Sequence, residues 1–150
     1  MAIRNIVKLG DDVLRKVCRT QMTFDEKLAT TLDDMAETMY KAEGVGLAAP
    51  QIGILRRYCV VDVGDGIIEL VNPVIESMSG EQTGEEGCLS IPNRYESVTR
   101  PMTVTVIGLV TLSYLLGMER HPSSPVCSPL ILSITGFTSS IMPSPTSTTQ

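Results

Sequence analysis

The stretch FDEKLATTLDDMAETMYKAEG (residues 24–44) decides the fold class, because it carries the clearest helical pattern in this chain of 150 residues. Asp25 and Glu26 suit the positive N-terminal end of a helix dipole, and Gly44 is a typical stop. Apolar side chains recur at helical spacing, and this stripe consists of Leu28, Leu32, Met35, Ala36 and Met39. We therefore predict one early helix whose stripe of Leu and Met side chains packs into a core.

The segments after this helix predict antiparallel strands. RRYCVVDV (residues 56–63) and GIIELVNP (residues 66–73) flank a Gly-Asp-Gly turn, which tolerates the positive φ angles of a tight β-hairpin. We expect Pro73 to end the second of these strands, and VTRPMTVTVIGL (residues 98–109) to form one further strand by alternation. The sequence thus predicts an α+β domain of antiparallel strands with one N-terminal helix.

Composition excludes several classes of function. The net charge of −5 argues against nucleic acid as a direct partner, since duplex binding needs a basic face. No run reaches the roughly 18 apolar residues of a membrane span, because Thr and Ser interrupt the nearest one, residues 104–116. No secretory leader is visible, and no Cys-x-x-Cys spacing occurs among the four cysteines, Cys18, Cys59, Cys88 and Cys127. We therefore expect a cytoplasmic protein with reduced thiols.

The last 50 residues differ in composition from the rest of the chain. Glu119 and Arg120 are the only charged residues among them, and Ser, Thr and Pro are abundant from Pro122 onwards. No strand or helix period organises this segment, which predicts irregular chain. We therefore divide the sequence into a folded domain, residues 1–109, and an atypical Ser/Thr/Pro-rich segment, residues 110–150.

The stretch GVGLAAPQ (residues 44–51) follows the predicted helix directly and has two interpretations. It is not a phosphate loop, since it lacks the Lys-Ser/Thr pair and does not open a helix. Its small residues would let an extended peptide approach and pair with a strand edge, and Gln51 would offer an amide donor at the end of that edge. The residue pattern alone favours a plain helix stop and loop, because glycine-rich connections are common.

The stretch EEGCLS (residues 85–90) places a cysteine in a polar, turn-prone segment. Gly87 lets the chain bend, and the backbone N–H of Leu89 could point at whatever the sulfur binds. The Cys88 thiolate would be a soft ligand for zinc or ferrous iron, or a nucleophile if a base were near. The one histidine of the sequence is His121, in the atypical segment. For a single cysteine considered alone, a half-buried structural thiol is the commoner case.

Together, GVGLAAPQ and EEGCLS resemble the first and second signature motifs of the peptide deformylase family. The resemblance runs from Ile3 to Leu109 and includes DDVLRK (residues 11–16), MAETMYKAEG (residues 35–44), VVDV and LVNP. It implies the α+β fold of that family without its C-terminal helix. It also implies an enzyme of N-terminal methionine processing in protein biosynthesis, which removes the formyl group from new proteins. The expected partner is a formyl-methionyl peptide or nascent chain.

The resemblance further implies roles for individual residues. Cys88 matches a metal-binding cysteine, which would hold a divalent metal, Fe2+ or Zn2+. Gln51 matches the glutamine whose side-chain amide helps to hold the oxyanion, and Leu89 matches the residue whose backbone N–H is the other donor. The strand edge that pairs with the peptide substrate is matched by Gly44, Val45 and Gly46.

The family's third motif, a C-terminal helix carrying His-Glu-x-x-His, is absent from these 150 residues. In the family, its two histidines complete a three-ligand metal site, its glutamate is the general base, and metal-activated water attacks the formyl carbon. We therefore expect this chain not to retain the metal. The composition favours translation in a wrong reading frame, or a fused end, over a natural variant with His121 as replacement ligand. The alternative function is a catalytically inactive remnant or a peptide-binding module.

Overall fold

The structure, a computed structural model, describes residues 2–111 and 127–135. Within these residues it has one α-helix, α1 (Glu26–Lys41), and two 3-10 helices, Asp12–Arg15 and Ala49–Ile52. All strand pairs are antiparallel, which confirms the predicted α+β class. The strands are β1 (Gly46–Ala48), β2 (Tyr58–Asp62), β3 (Ile67–Ser79), β4 (Gln82–Cys88), β5 (Ile91–Arg100), β6 (Thr103–Thr111) and β7 (Cys127–Thr135).

Helix α1 forms where the apolar stripe predicts it. The Asp25 carboxylate accepts a hydrogen bond from the Leu28 N–H at 3.0 Å and thereby caps the first turn. Ala36 is only half-buried, whereas the rest of the stripe is buried against side chains of β1, β2 and β3, and consists of Leu28, Leu32, Met35 and Met39. No helix among the described residues is long and apolar enough to cross a bilayer.

The strands form two separate sheets. Five of them lie in the order β1-β2-β3-β6-β7, and β4 and β5 form a two-stranded sheet of their own. The five-stranded sheet is buried on both faces of β2 and β3, because successive side chains alternate between two apolar clusters. Val60 and Val71 pack with α1, while Val61 and Leu70 pack on the opposite face. The order of the strands leaves β1 at one edge of this sheet.

The predicted hairpin of β2 and β3 is confirmed, but the prediction that Pro73 ends the second strand is wrong. The strand continues to Ser79, and its pairing with β6 shifts register between Val71 and Val74. Asn72 has a positive φ of 52° at this irregularity. A bulge leaves its extra residues out of the ladder, so the missing N–H of Pro73 costs no interstrand hydrogen bond.

The prediction of one strand over residues 98–109 is also wrong. Strand β5 ends at Arg100 and β6 begins at Thr103, with Pro101 between them. Because Pro101 has no N–H to give to a ladder, it suits the point where the chain leaves one sheet for the other. Strand β5 pairs with β4, whereas β6 pairs with β3.

Strands also occur where the sequence predicts irregular chain. Strand β6 runs on to Thr111, and β7 pairs with β6 from Thr135 opposite Thr103 to Cys127 opposite Thr111. An open sheet edge is a template for any β-compatible segment, and Leu-Ile-Leu at residues 130–132 is such a segment. Residues 112–126 and 136–150, including His121, lie outside the described residues.

The N-terminal segment is fastened to α1 by a buried carboxylate. Asp34 is 2% exposed and accepts hydrogen bonds from Ala2 N (2.6 Å), Arg4 Nε (2.9 Å) and Arg4 Nη2 (2.6 Å). The Arg4 N–H also donates to Thr38 Oγ1 at 2.9 Å. The bond from the Ala2 N–H, followed by the Arg4 guanidinium, lowers the pKa of Asp34 although burial opposes this. We call these contacts of residues 2–4 with Asp34 and Thr38 the N-terminal clamp. They fix the start of the chain that leads to the candidate site.

Candidate active site

The stretch from Gly44 to Gln51 forms an edge strand followed by a 3-10 helix, and not a plain loop. Strand β1 pairs only with β2 among the described strands, with Leu47 opposite Val60. The Asp62 N–H donates to the Val45 carbonyl at 2.9 Å. Because bonded and non-bonded pairs alternate along an antiparallel ladder, the backbone N–H and C=O of Gly46 face the free edge.

A tyrosine and a carboxylate support the start of this edge. Tyr40 Oη donates to Asp62 Oδ2 at 2.6 Å, and Asp62 Oδ1 accepts from the N–H groups of Gly64 (2.8 Å) and Gly66 (3.2 Å). Burial and this carboxylate raise the pKa of Tyr40 to about 12. The Tyr40 hydroxyl and the Gly64 N–H lower the pKa of Asp62. The hairpin turn, α1 and Val45 are therefore tied together through Asp62.

Gln51 lies in the 3-10 helix directly after β1 and is 8% exposed. Its Oε1 accepts a hydrogen bond from the Ala48 N–H at 2.9 Å, so its Nε2 end faces the other way. Nε2 donates to Ser90 Oγ at 3.2 Å and to Cys88 Sγ at 3.6 Å. Two of the residues that the sequence singles out, 37 positions apart, are thus in direct contact.

Cys88 ends β4 as a half-buried free thiol. The β4–β5 ladder is irregular between Gly87 and Cys88, which confirms the predicted bend. A Cβ placed on Gly87 would lie 2.9 Å from Cε1 of Tyr95, so a side chain there would require the Tyr95 ring to move. The Glu86 carboxylate is engaged by Arg100, whose Nη2 lies 3.2 Å from Glu86 Oε2.

Leu89 connects the segment 44–51 with the segment 85–90 by packing. A Cβ on Gly44 would lie 2.6 Å from Leu89 Cδ1, so only glycine leaves space for this contact. The Leu89 side chain is half-buried against the core cluster that contains α1 and Leu47. The structure therefore brings Gly44 and Leu89 together, as well as Gln51 and Cys88.

Sequence reasoning missed four residues that hold this arrangement. Ser90 is the last residue of the EEGCLS motif. The signal that could have found it is its hydroxyl, which directly follows Leu89, a predicted donor. Tyr40 and Asp62 carried no signal beyond their polarity. Lys8 carried none, because its Nζ meets the Leu89 carbonyl, 2.8 Å away, across 81 positions of sequence.

The described residues do not fit the metal centre that the resemblance implies. Among them, no three His, Cys, Asp or Glu side chains lie close enough together to hold an ion. Cys88 Sγ contacts the Gln51 amide, which also bonds to the Ser90 hydroxyl, whereas zinc sites take at least three ligands from Cys, His, Asp and Glu.

Comparison with known proteins identifies the family. The polypeptide deformylase family model matches residues 3–112. The peptide deformylase of Clostridium botulinum is 57% identical over 109 residues, which cover 73% of this chain and 74% of the relative. That of Acetivibrio thermocellus is 56% identical over 109 residues, again 73% of this chain but 64% of the relative.

Solved structures agree in fold. A peptide deformylase from Legionella pneumophila superposes with a TM-score of 0.77 at 42% identity, covering 90% of this chain and 73% of that one. The enzyme from Thermotoga maritima gives a TM-score of 0.79 at 34% identity, with 91% and 84% covered. The similarity in sequence and in fold extends across the edge strand, Gln51 and Cys88, and this chain belongs to the polypeptide deformylase family.

Proposed function

We propose that this chain is a peptide deformylase by descent, whose described residues form the substrate-binding half of the active site. Its substrate would be the formyl-methionyl end of a newly made protein. The observation that carries the proposal is the contact of Gln51 Nε2 with Cys88 Sγ, 3.6 Å apart, directly after a strand whose outer edge pairs with no other described strand. The cytoplasm suits this function, and Cys18, Cys59 and Cys88 are free thiols.

The strand edge would bind the peptide backbone. An extended peptide beside β1 could exchange hydrogen bonds with the N–H and C=O of Gly46, which face the free edge. Gly44 and Gly46 present no side chain that would hold the peptide away. Val45 is 47% exposed and remains available to contact the peptide.

The orientation of Gln51 supports a role as a donor. Its Oε1 is committed to the Ala48 N–H, so the end that faces Cys88 can only donate. A formyl oxygen that gains negative charge is best held by such fixed donors. The Leu89 N–H, next to Cys88 in the chain, would be the second donor.

We assign no bond-breaking step to these residues. Ferrous iron or zinc would need two protein ligands besides Cys88, and hydrolysis would need a base. Among the described residues no cluster of three His, Cys, Asp or Glu side chains provides the metal ligands, and we assign none of these residues the role of base. Substrate binding and contact with the formyl oxygen are what their geometry supports.

A second candidate is a formyl-peptide-binding module without turnover. The observation that favours it is the single histidine of the sequence, His121. Both candidates share the binding step and differ only in whether the bound peptide is hydrolysed.

Binding of a formylated peptide tests the shared step. The full chain, labelled with 15N, is titrated with formyl-Met-Ala-Ser and with Met-Ala-Ser. We expect the formylated peptide to bind more tightly and to shift the Gly46 amide and the Gln51 side-chain signals. Gln51→Ala should weaken its binding about tenfold, as expected for one lost hydrogen bond to a charged or buried oxygen.

The matched control is Gln82→Ala, since Gln82 lies on the two-stranded sheet and its amide faces the Pro101 carbonyl. This variant should bind like the wild type. Equal affinity of the wild type for both peptides would contradict the proposed function.

A further inference from the structure

A short N-terminal segment, residues 7–9, touches both halves of the candidate site; we name it the strap. The Val7 N–H donates to the Gln51 carbonyl at 2.8 Å. The Leu9 N–H donates to the Ser90 carbonyl at 2.9 Å. Between them, Lys8 Nζ donates to the Leu89 carbonyl at 2.8 Å. The first of these three successive residues thus bonds to the segment that carries Gln51, and the next two bond to the segment that follows Cys88.

The two halves need such a link because no sheet joins them. Gln51 follows β1 of the five-stranded sheet, whereas Cys88 ends β4 of the two-stranded sheet. Among the described strands, none of one sheet pairs with a strand of the other. The distance between the Gln51 amide and the Cys88 sulfur is therefore not fixed by a ladder of interstrand hydrogen bonds. It depends on the strap, on the packing of Leu89 over Gly44, and on the Gln51–Ser90 bond.

Ser90 is where these contacts meet. It is 3% exposed, its carbonyl accepts from the strap, and its hydroxyl accepts from Gln51 Nε2 at 3.2 Å. One N–H of the Gln51 amide is thereby occupied, which leaves the other N–H directed to the side of Cys88. Without the hydroxyl, a buried N–H would lose its partner and the amide could turn away.

We infer that the strap sets the relative position of Gln51 and the segment 88–90, and that the positioning residues are Lys8 in the strap and Ser90, whose carbonyl the strap contacts. Lys8 acts through Leu89: its ammonium holds the Leu89 carbonyl and so fixes the backbone of the residue whose N–H would be the second donor. Neither residue needs to touch the substrate. The effect on substrate binding rests on the proposed function, whereas the effect on the site's geometry does not.

Lys8→Met in the full chain tests the strap, because this change removes the ammonium and keeps the aliphatic stem of an exposed residue. Lys16→Met is the matched control, since Lys16 is also exposed and makes no side-chain hydrogen bond among the described residues. Amide hydrogen exchange of Val7 and Leu9 and the NMR signals of the Gln51 side chain are measured without any peptide.

We expect Lys8→Met to speed exchange at Val7 and Leu9 about fivefold, since a charge-assisted hydrogen bond no longer holds the strap closed. The Gln51 side-chain signals should shift as well. Lys8→Arg should restore both readouts, and Lys16→Met should change neither. If Lys8→Met and Lys16→Met gave the same exchange rates and Gln51 signals, the inference would be overturned.

Ser90→Ala provides a second line of evidence, at the buried residue whose carbonyl accepts from the strap. We expect the Gln51 side-chain signals to move in this variant while its exchange at Leu9, whose partner is a backbone carbonyl, stays close to that of the wild type. Unmoved Gln51 signals in a folded Ser90→Ala chain would overturn the role of Ser90. Binding of formyl-Met-Ala-Ser by the wild type and by these variants is then compared. Unchanged exchange rates and Gln51 signals in the variants without peptide would refute this inference, whereas failure of the wild type to bind the peptide would refute the proposed function.

Discussion

Gly44 marks the tightest contact of the candidate site at the scale of single residues. We expect Gly44→Ala to lower the free energy of unfolding by about 1 to 3 kcal/mol, because a Cβ there would meet Leu89 Cδ1 at 2.6 Å. Gly84→Ala is the matched control, since a Cβ on Gly84 would have nothing within 4 Å. Urea denaturation of the two variants measures the difference, and equal midpoints would contradict the packing described for Leu89.

Asp34 gives the N-terminal clamp a pH dependence. Its pKa is lowered in the folded protein, so its contribution is present above the unfolded pKa near 3.8 and is lost as pH falls through the folded value. Near neutral pH, Asp34→Asn should cost about 2 kcal/mol of unfolding free energy, since it weakens hydrogen bonds between charged groups.

The check for Asp34 is a series of urea unfolding curves at decreasing pH. The difference between wild type and Asp34→Asn should shrink below about pH 4. Asp12→Asn serves as the control, because Asp12 is exposed and should change stability by less than about 0.5 kcal/mol at any pH. A difference that stays constant down to strong acid would contradict the role of the Asp34 charge.

At the scale of elements, the bulge in β3 is held by Asn72. Its side chain exchanges two hydrogen bonds with the Gln21 backbone, both at 2.8 Å, and its φ is 52°. Asn72→Gly should lose only these hydrogen bonds, which lowers the free energy of unfolding by about 1 to 2 kcal/mol. Asn72→Ala should lose about 1 kcal/mol more, because alanine tolerates a positive φ poorly. Thermal or urea unfolding ranks the variants, and an alanine variant as stable as the glycine variant would exclude backbone strain.

Elements with a local pattern could be predicted from the sequence. Helix α1 could be predicted from one apolar stripe and a capping Asp25, and the β2–β3 hairpin could be predicted from its Gly-Asp-Gly turn. The strand through Pro73 could not be predicted, because the bulge that accommodates proline depends on contacts of Asn72 with Gln21, 51 positions away. Local patterns carry no information about such distant partners.

The candidate site divides in the same way. Gln51 and Cys88 could be singled out from the two sequence motifs. That both belong to one site follows from the family resemblance more than from either stretch alone. Lys8 could not be found, because an exposed lysine has no sequence signal until the fold brings the Leu89 carbonyl to it. The roles of Gly44, Val45, Gly46, Gln51, Cys88 and Leu89 in substrate and metal binding stay predictions.

At the scale of the whole molecule, we predict that the purified chain holds no stoichiometric iron or zinc. Only one of the ligands that the family uses is present among the described residues, and losing two of three removes most of the binding free energy. Metal analysis after gel filtration measures this. About one metal per chain, lost in Cys88→Ala, would contradict the prediction.

For the same reason, the chain should not hydrolyse formyl-Met-Ala-Ser above background. Replacing residues 110–150 by a family-type ending with His-Glu-x-x-His should restore turnover, and Cys88→Ala in that chain should abolish it. Turnover by the unaltered chain that a chelator stops would refute this account, and His121 would then be the first residue to substitute.

The division of the candidate site between two sheets also bears on the order in which the protein folds. The contacts that close the site span 37, 39 and 81 positions of sequence, whereas β2 and β3 are joined by a short turn. Loop closure over long separations is slow, so we expect the hairpin to gain protection first and the Leu9 amide last. Pulse-labelled hydrogen exchange during refolding would measure this order. A ribosome-bound chain could then bring these contacts together only after Ser90 has left the exit tunnel, so the candidate site would form late in synthesis.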